Sequence, residues 1–232
     1  MDSVRNETAS IGEGARYNVW MNTPRNASSI PIWLFVAAAV AVALGLWLGQ
    51  RFFAASDQPK LENAVLYPAP RAIPEFHLTQ ASGQPLTLAD WRGYWTVVYF
   101  GYTSCPDVCP TTLTTFKQAW KDLAARSLTG KVRFDFISVD PQRDTADVLH
   151  KYVGYFDPDF VAATGLDDEL TTLTRALGLV YSRSTDADGK IVVDHSAAAV
   201  IVDPQGREAG IFRPPFFAKA IAGDLAALAA GH

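Results

Sequence analysis

The twenty residues from Ile30 to Gly49, IPIWLFVAAAVAVALGLWLG, contain no charged side chain. At 1.5 Å per residue their helix would be about 30 Å long, the thickness of the hydrocarbon core of a bilayer. Soluble cores rarely hold an uncharged helix of that length, and a cleaved secretory leader pairs a short basic start with an apolar centre of about 7–15 residues. Here the run is longer and comes after a 29-residue leader that carries Asp2, Glu7 and Glu13. An uncleaved transmembrane helix is therefore expected, with Trp33 and Trp47 near the two headgroup levels and Arg51 closing the run. Arg5, Arg16 and Arg25 before it, against Arg51 and Lys60 after it, give a small bias toward an N-terminus on the inner side.

The span divides the chain into a tail at 1–29, an anchor at 30–50, a linker at 51–66 and a domain at 67–232. The stretch Ala54–Pro70, with Pro59, Pro68 and Pro70, has neither a helical nor an alternating period and reads as a tether. The remainder of the chain is long enough for one packed domain and too short for two large ones. A formal net charge of -4 supplies no basic field, and no aromatic-basic interleaving occurs, so nucleic acid is not an expected partner.

Within the domain the apolar periods alternate between two kinds. Phe76–Leu78 and Leu86–Leu88 flank Ala81-Ser82-Gly83-Gln84, an opening hairpin. WTVVYFGY at Trp95–Tyr102 is a continuous β-branched and aromatic run that suits a strand buried on both faces. Leu113, Phe116, Trp120 and Leu123 then recur at helical steps. Val132, Phe134 and Phe136 alternate as a second strand, ended by Asp140-Pro141. Asp144 is placed to cap a helix with Val148, Leu149, Tyr152 and Phe156 inward, and another helix starts after Asp167 and Asp168 with Leu170, Leu173 and Leu177. Ala197–Val202 and Glu208–Phe212 form a hairpin about Asp203-Pro204-Gln205-Gly206, and Phe217, Ile221, Leu225 and Leu228 mark a last helix. A βαβ half joined to a β-hairpin-α half predicts an α/β thioredoxin-like sandwich, a central mixed sheet with helices on both faces.

The only two cysteines stand three residues apart in GYTSCPDVCP, between the central strand and its helix. Open α/β sheets place ligands at that end of a strand. Pro110 suits the first helical position and disfavours the α region for Cys109, so Cys109 is expected as the N-cap, with its thiol acidity raised by the helix dipole. A plain disulfide would close too short a loop to stabilise the fold much, about 2 kcal/mol. Structural zinc would need four N or S ligands, and neither a second cysteine pair nor a histidine cluster exists. Two thiolates with one imidazole match a low-coordinate Cu(I) site instead. Among His77, His150, His195 and His232, His195 stands apart: it lies in VVDHSAAAVIVDPQG, on a loop before a strand, with Asp194 and Ser196 beside it to orient the ring.

Taken in order after one N-terminal span, FGYTSCPDVCP, FISVDPQRDTADVL and VDHSAAAVIVDPQG resemble the Sco/SenC family of copper-binding, thioredoxin-like cytochrome c oxidase assembly proteins, from about Tyr67 to the C-terminus. The resemblance implies copper, as Cu(I) or Cu(II), on Cys105, Cys109 and His195. It also implies an inner-membrane protein with its N-terminus in the cytoplasm or matrix and its domain in the periplasm or intermembrane space. Implied partners are subunit II of cytochrome c oxidase, which receives the copper of its binuclear centre, and other copper chaperones or thiol reductases. Three functions compete. A chaperone passes copper by ligand exchange; a thiol-disulfide oxidoreductase uses Cys105 and Cys109 as a redox-active pair that closes as a disulfide, with no need of His195; a transmembrane sensor would need a signalling domain that the tail does not show. The three-residue gap between the cysteines departs from C-x-x-C enzymes, and no P-x-x-x-T-x-x-C arrangement surrounds Cys105.

Overall fold

The computed structural model describes residues 31–53, 60–185 and 191–231, and the chain divides into two units, Met1–Ser56 and Asp57–His232. The tail expected at 1–29, the middle of the linker at 54–59 and His232 lie outside the described residues. In the first unit, α1 (Ile32–Phe53) is one helix whose residues 31–48 are all exposed, and its Ile32–Gly49 stretch has a mean hydropathy of 2.3. An apolar helix left exposed among the described residues fits a lipid-facing span by length and composition.

In the second unit the elements run β1 (Ala64–Ala72), β2 (His77–Gln80), β3 (Pro85–Thr87), α2 (Leu88–Trp91), β4 (Trp95–Gly101), α3 (Val108–Ala125), β5 (Val132–Ser138), α4 (Ala146–Phe156), β6 (Val161–Thr164), α5 (Asp167–Ala176), β7 (Tyr181–Thr185), β8 (Ile191–His195), β9 (Ala199–Val202), β10 (Arg207–Phe212) and α6 (Ala218–Ala230). Eight strands form one mixed sheet in the order β1-β10-β9-β4-β5-β6-β2-β3, with β4, β5 and β6 parallel and the others antiparallel to their neighbours. Every residue of β4 is buried, as its unbroken apolar run demands, and β4 lies inside the sheet. Phe134 and Phe136 of β5 share one face, where Phe116 of α3 and Tyr152 of α4 pack on them at 5.2 and 5.5 Å between ring centroids. The intervening Asp135 points to the other face and accepts from Trp91 Nε1 of α2 at 2.8 Å. Helices thus cover both faces of a mixed sheet, the expected thioredoxin-like arrangement.

Three local expectations change. The tether read through Pro70 gives way to edge strand β1 from Ala64, paired with β10 and irregular in register between Leu66 and Arg71. Pro68 and Pro70 fall in that irregular stretch, where an edge strand tolerates a missing N–H. Upstream, the N–H groups of Glu62, Asn63 and Ala64 each donate to the buried Asp224 carboxylate of α6 at 2.8 Å, so the chain is fixed two residues before the strand begins. Second, Thr145 caps α4 by accepting from Val148 N, while Asp144 turns inward and Val148 outward. Third, β7 and β8 form a two-stranded ribbon outside the main sheet, an element that no sequence period announces.

Candidate metal centre

Strand β4 ends at Gly101, the chain turns through Tyr102–Asp107, and α3 begins at Val108 with Asp107 as its N-cap. Cys105 sits half-buried in the turn, and Cys109, the second helical residue, is fully buried. Cys109 is therefore inside the helix and not its cap: the turn absorbs Pro106 and Asp107, and Pro110 is accommodated in the first turn, where its missing N–H costs nothing. The backbone N–H of Cys109 donates to Cys105 Sγ at 3.4 Å. This orients one sulfur with the orphan donors of the helix start.

His195 arrives from the other direction as the last residue of β8, paired with Tyr181 of β7, and not on a loop as expected. Its Nε2 lies 3.5 Å from Cys109 Sγ, and the two sulfurs and the imidazole nitrogen all fall within 4.8 Å of one another. Nδ1 is 3.0 Å from the Ser196 carbonyl oxygen. A carbonyl only accepts, so Nδ1 carries the proton and Nε2 turns its lone pair toward the thiols. The orienting group is thus a backbone carbonyl; the Ser196 hydroxyl is engaged instead with the backbone of Val180, and Asp194 is exposed. Tyr99 and Tyr102 stand edge-on to the imidazole at 5.9 and 6.2 Å between centroids.

Burial dominates the electrostatics. Desolvation pushes the Cys109 thiol up to about 12, opposite to the acidified thiol expected from the helix start. A helix dipole supplies about 0.3–1 kcal/mol, less than one pKa unit, too little against full burial. Desolvation also holds the His195 imidazole below its ordinary range, partly opposed by the Ser196 carbonyl and Asp194, so the ring is neutral and free to ligate. The Tyr99 hydroxyl is buried beside Thr112 and Cys109, and its acidity is suppressed chiefly by desolvation. A cavity of about 260 Å³ lined by Tyr102, Cys105, Val108, Val193, His195 and Ala197 opens one side of the cluster to solvent.

Two supports escaped the sequence reading. A Cβ on Gly101 would come within 2.8 Å of Cys109 Sγ and 2.9 Å of the Phe136 ring, so only glycine lets β4 end this close to the sulfur. Asp144, fully buried, accepts from Thr103 N at 2.9 Å, Thr103 Oγ1 at 2.6 Å and Ser138 Oγ at 2.5 Å, tying the cysteine turn to the end of β5. In the sequence the run SVDPQRDT reads as a strand end, a cap and part of the Sco/SenC resemblance, with no sign of this buried carboxylate. Of the remaining histidines, His77 on β2 and His150 on α4 are exposed and take no part in the cluster.

The SCO1/SenC family model matches residues 66–230, which is most of the chain and contains all three clustered residues. The chain belongs to the SCO1/SenC family. Among SCO1/SenC relatives, the mitochondrial SCO1 homolog of Mus musculus is 30% identical over 203 residues, 86% of this chain and 72% of that one. The structure of Bradyrhizobium japonicum ScoI with copper bound is 31% identical, with a TM-score of 0.62 over 67% of this chain and 98% of that one. The solution structure of apo Sco1 from Thermus thermophilus is 30% identical, with a TM-score of 0.64 over 71% and 95%.

Proposed function

We propose that this SCO1/SenC protein is a membrane-anchored copper chaperone that assists assembly of the binuclear copper centre of cytochrome c oxidase, with Cys105, Cys109 and His195 as the copper ligands. The single observation that carries the reading is the convergence of two sulfurs and one neutral imidazole nitrogen within 4.8 Å, from two separate stretches of backbone. Soft thiolates with one imidazole, and no fourth donor in the cluster among the described residues, favour Cu(I) over zinc. The copper-bound state of the Bradyrhizobium japonicum relative supports the same cargo. Loading displaces the Cys109 thiol proton and takes up the lone pair that His195 Nε2 already presents. Cys105, half-buried beside the open cavity, is the ligand an acceptor thiol reaches first, so release proceeds by stepwise ligand exchange from that side.

In this reading the tail at 1–29 lies in the cytoplasm or matrix, the helix from about residue 30 anchors the protein in the inner membrane, and the domain works in the periplasm or intermembrane space. Subunit II of the oxidase is the acceptor, and other copper chaperones or thiol reductases supply metal or electrons. A second reading, a thiol-disulfide oxidoreductase for the cysteines of the acceptor, rests on the two free thiols at the same site. Cys105 would attack an acceptor disulfide and Cys109 would resolve the mixed disulfide, two electrons and two protons passing to the acceptor. Burial that pushes the resolving Cys109 thiol up slows that step at neutral pH, and this reading gives His195 no part.

The test is an anaerobic Cu(I) titration of the reduced soluble unit from Lys60 onward against a competing chelator. Tight one-to-one binding is expected, weakened in His195→Ala and lost in either Cys→Ser variant. Equal affinity in His195→Ala refutes the three-ligand centre, and no binding at all leaves the oxidoreductase reading.

A further inference from the structure

The imidazole of the cluster is carried by the last residue of β8. The β7–β8 ribbon pairs with no strand of the main sheet, and a lone two-stranded ribbon is marginal in water. Several contacts hold it down: Tyr99 and Tyr102 flank the His195 ring, Val193 is buried, Tyr181 Oη shares a 3.0 Å hydrogen bond with Thr171 Oγ1 of α5, and Arg183 reaches out of the ribbon. Arg183 stands opposite Val193 in the pairing register, two residues from His195 along β8. Its Nε donates to the Val139 carbonyl at 3.0 Å, its Nη2 donates to the same oxygen, and Nη2 also meets Asp167 Oδ1 at 2.6 Å. Val139 comes directly after β5, and its own N–H donates to the Gly101 carbonyl at 2.9 Å. The guanidinium therefore ties the histidine-bearing ribbon to the peptide that is bonded to the end of β4, the strand end against which Cys109 packs.

We propose that Arg183 is a positioning residue for the metal centre: its fork onto Val139 and Asp167 sets the β7–β8 ribbon so that His195 Nε2 meets Cys109 Sγ. The inference rests on the copper reading above and adds to it the group that fixes the third ligand. A planar guanidinium with several donors can satisfy the carbonyl and the carboxylate together, while the ammonium of lysine is a single point on a flexible stem. Groups that orient metal ligands without touching the metal commonly contribute about 10- to 100-fold in affinity.

The experiment is an anaerobic Cu(I) competition titration of the full chain in detergent micelles, comparing the unchanged protein, Arg183→Ala, His195→Ala and the double variant. Arg183→Ala is expected to weaken Cu(I) binding about 10- to 100-fold in the presence of His195 and to cause no further loss in the His195→Ala background. Arg183→Lys is expected to restore part of the loss. Rates of Cys105–Cys109 disulfide formation should stay unchanged, because the clamp does not touch the cysteine turn. Equal losses in both backgrounds overturn the proposal and mark Arg183 as general support. So does unchanged affinity in Arg183→Ala when His195→Ala binds more weakly. Unchanged affinity in His195→Ala instead overturns the three-ligand centre itself, and the clamp with it. If Arg183→Ala unfolds, Asp167→Asn, which removes only the half-exposed ion pair, carries the same comparison, with a smaller His195-dependent loss expected.

Discussion

Gly101→Ala is the most searching perturbation of this site, because it adds one methyl group and replaces no ligand. The new Cβ would stand 2.8 Å from Cys109 Sγ and 2.9 Å from Phe136 Cε2. Ordinary contact begins at 3.4 Å, so the sulfur must retreat by about 0.6 Å or the strand end must shift by as much. The Phe136 ring cannot yield freely, since it is buried and packs on Tyr99 and Tyr152 at 6.4 and 5.5 Å between centroids. Overpacking of this kind costs about 1–3 kcal/mol. For a domain of this size, about 2 kcal/mol lowers Tm by roughly 4–8 °C. Metal sites tolerate ligand displacements of about 0.2 Å, so a shift three times larger is expected to weaken Cu(I) binding by at least about tenfold. Near-UV circular dichroism melts and the competition titration on the reduced soluble unit check the two effects. Gly154→Ala in α4 is the control: its Cβ would meet nothing within 4 Å, and neither Tm nor affinity should fall. Unchanged Tm and affinity in Gly101→Ala would show that the sulfur has slack, and would refute the close-approach account of this glycine.

Other consequences are equally measurable. Asp144→Asn places an amide against the donors of Thr103 and Ser138; a loss of about 2 kcal/mol in urea titration is expected, with faster alkylation of Cys105 as the turn loosens, and unaltered alkylation would argue against the tie. Because Cu(I) must displace a proton from a Cys109 thiol pushed up to about 12, apparent affinity should rise with pH by about tenfold per unit from this residue alone across pH 7–10, and a flat profile over that range would contradict the burial of the thiol. His195, held below its ordinary value near 6.5, should add proton competition only at lower pH, so a steepening that begins above about 6.5 would contradict its burial. Asp224→Ala leaves the N–H groups of Glu62, Asn63 and Ala64 without their acceptor; hydrogen exchange should quicken in β1 first, with about 2 kcal/mol lost overall, and uniform exchange would refute a local anchor.

Much of this protein was legible in its sequence, for reasons of period and chemistry. The uncharged run supplies the helix from Ile32, because its length and composition fix the outcome locally. The buried strand at Trp95, the helix faces at Leu113–Leu123 and Leu170–Leu177, and the turn at Asp203–Gly206 likewise arise from spacing between neighbours. Cys105 and Cys109 stood out because two cysteines at a strand-helix junction have few alternatives, and His195 because of the residues around it. What the sequence left open depends on groups far apart along the chain. β1 is a strand only because β10 lies beside it, and its prolines hide the fact. Asp144 points inward only because Thr103 and Ser138 wait there. The acidity of Cys109 runs opposite to the local expectation, since a helix start acts over one turn while desolvation sums every atom packed around the sulfur. The ribbon that carries His195, and the arginine that pins it, are decided by contacts with Val139 and Asp167, which no local period encodes. Residue types and local periods determined which elements form and which side chains could bind metal; tertiary packing alone decided how those side chains meet, because distance, burial and orientation belong to the folded whole.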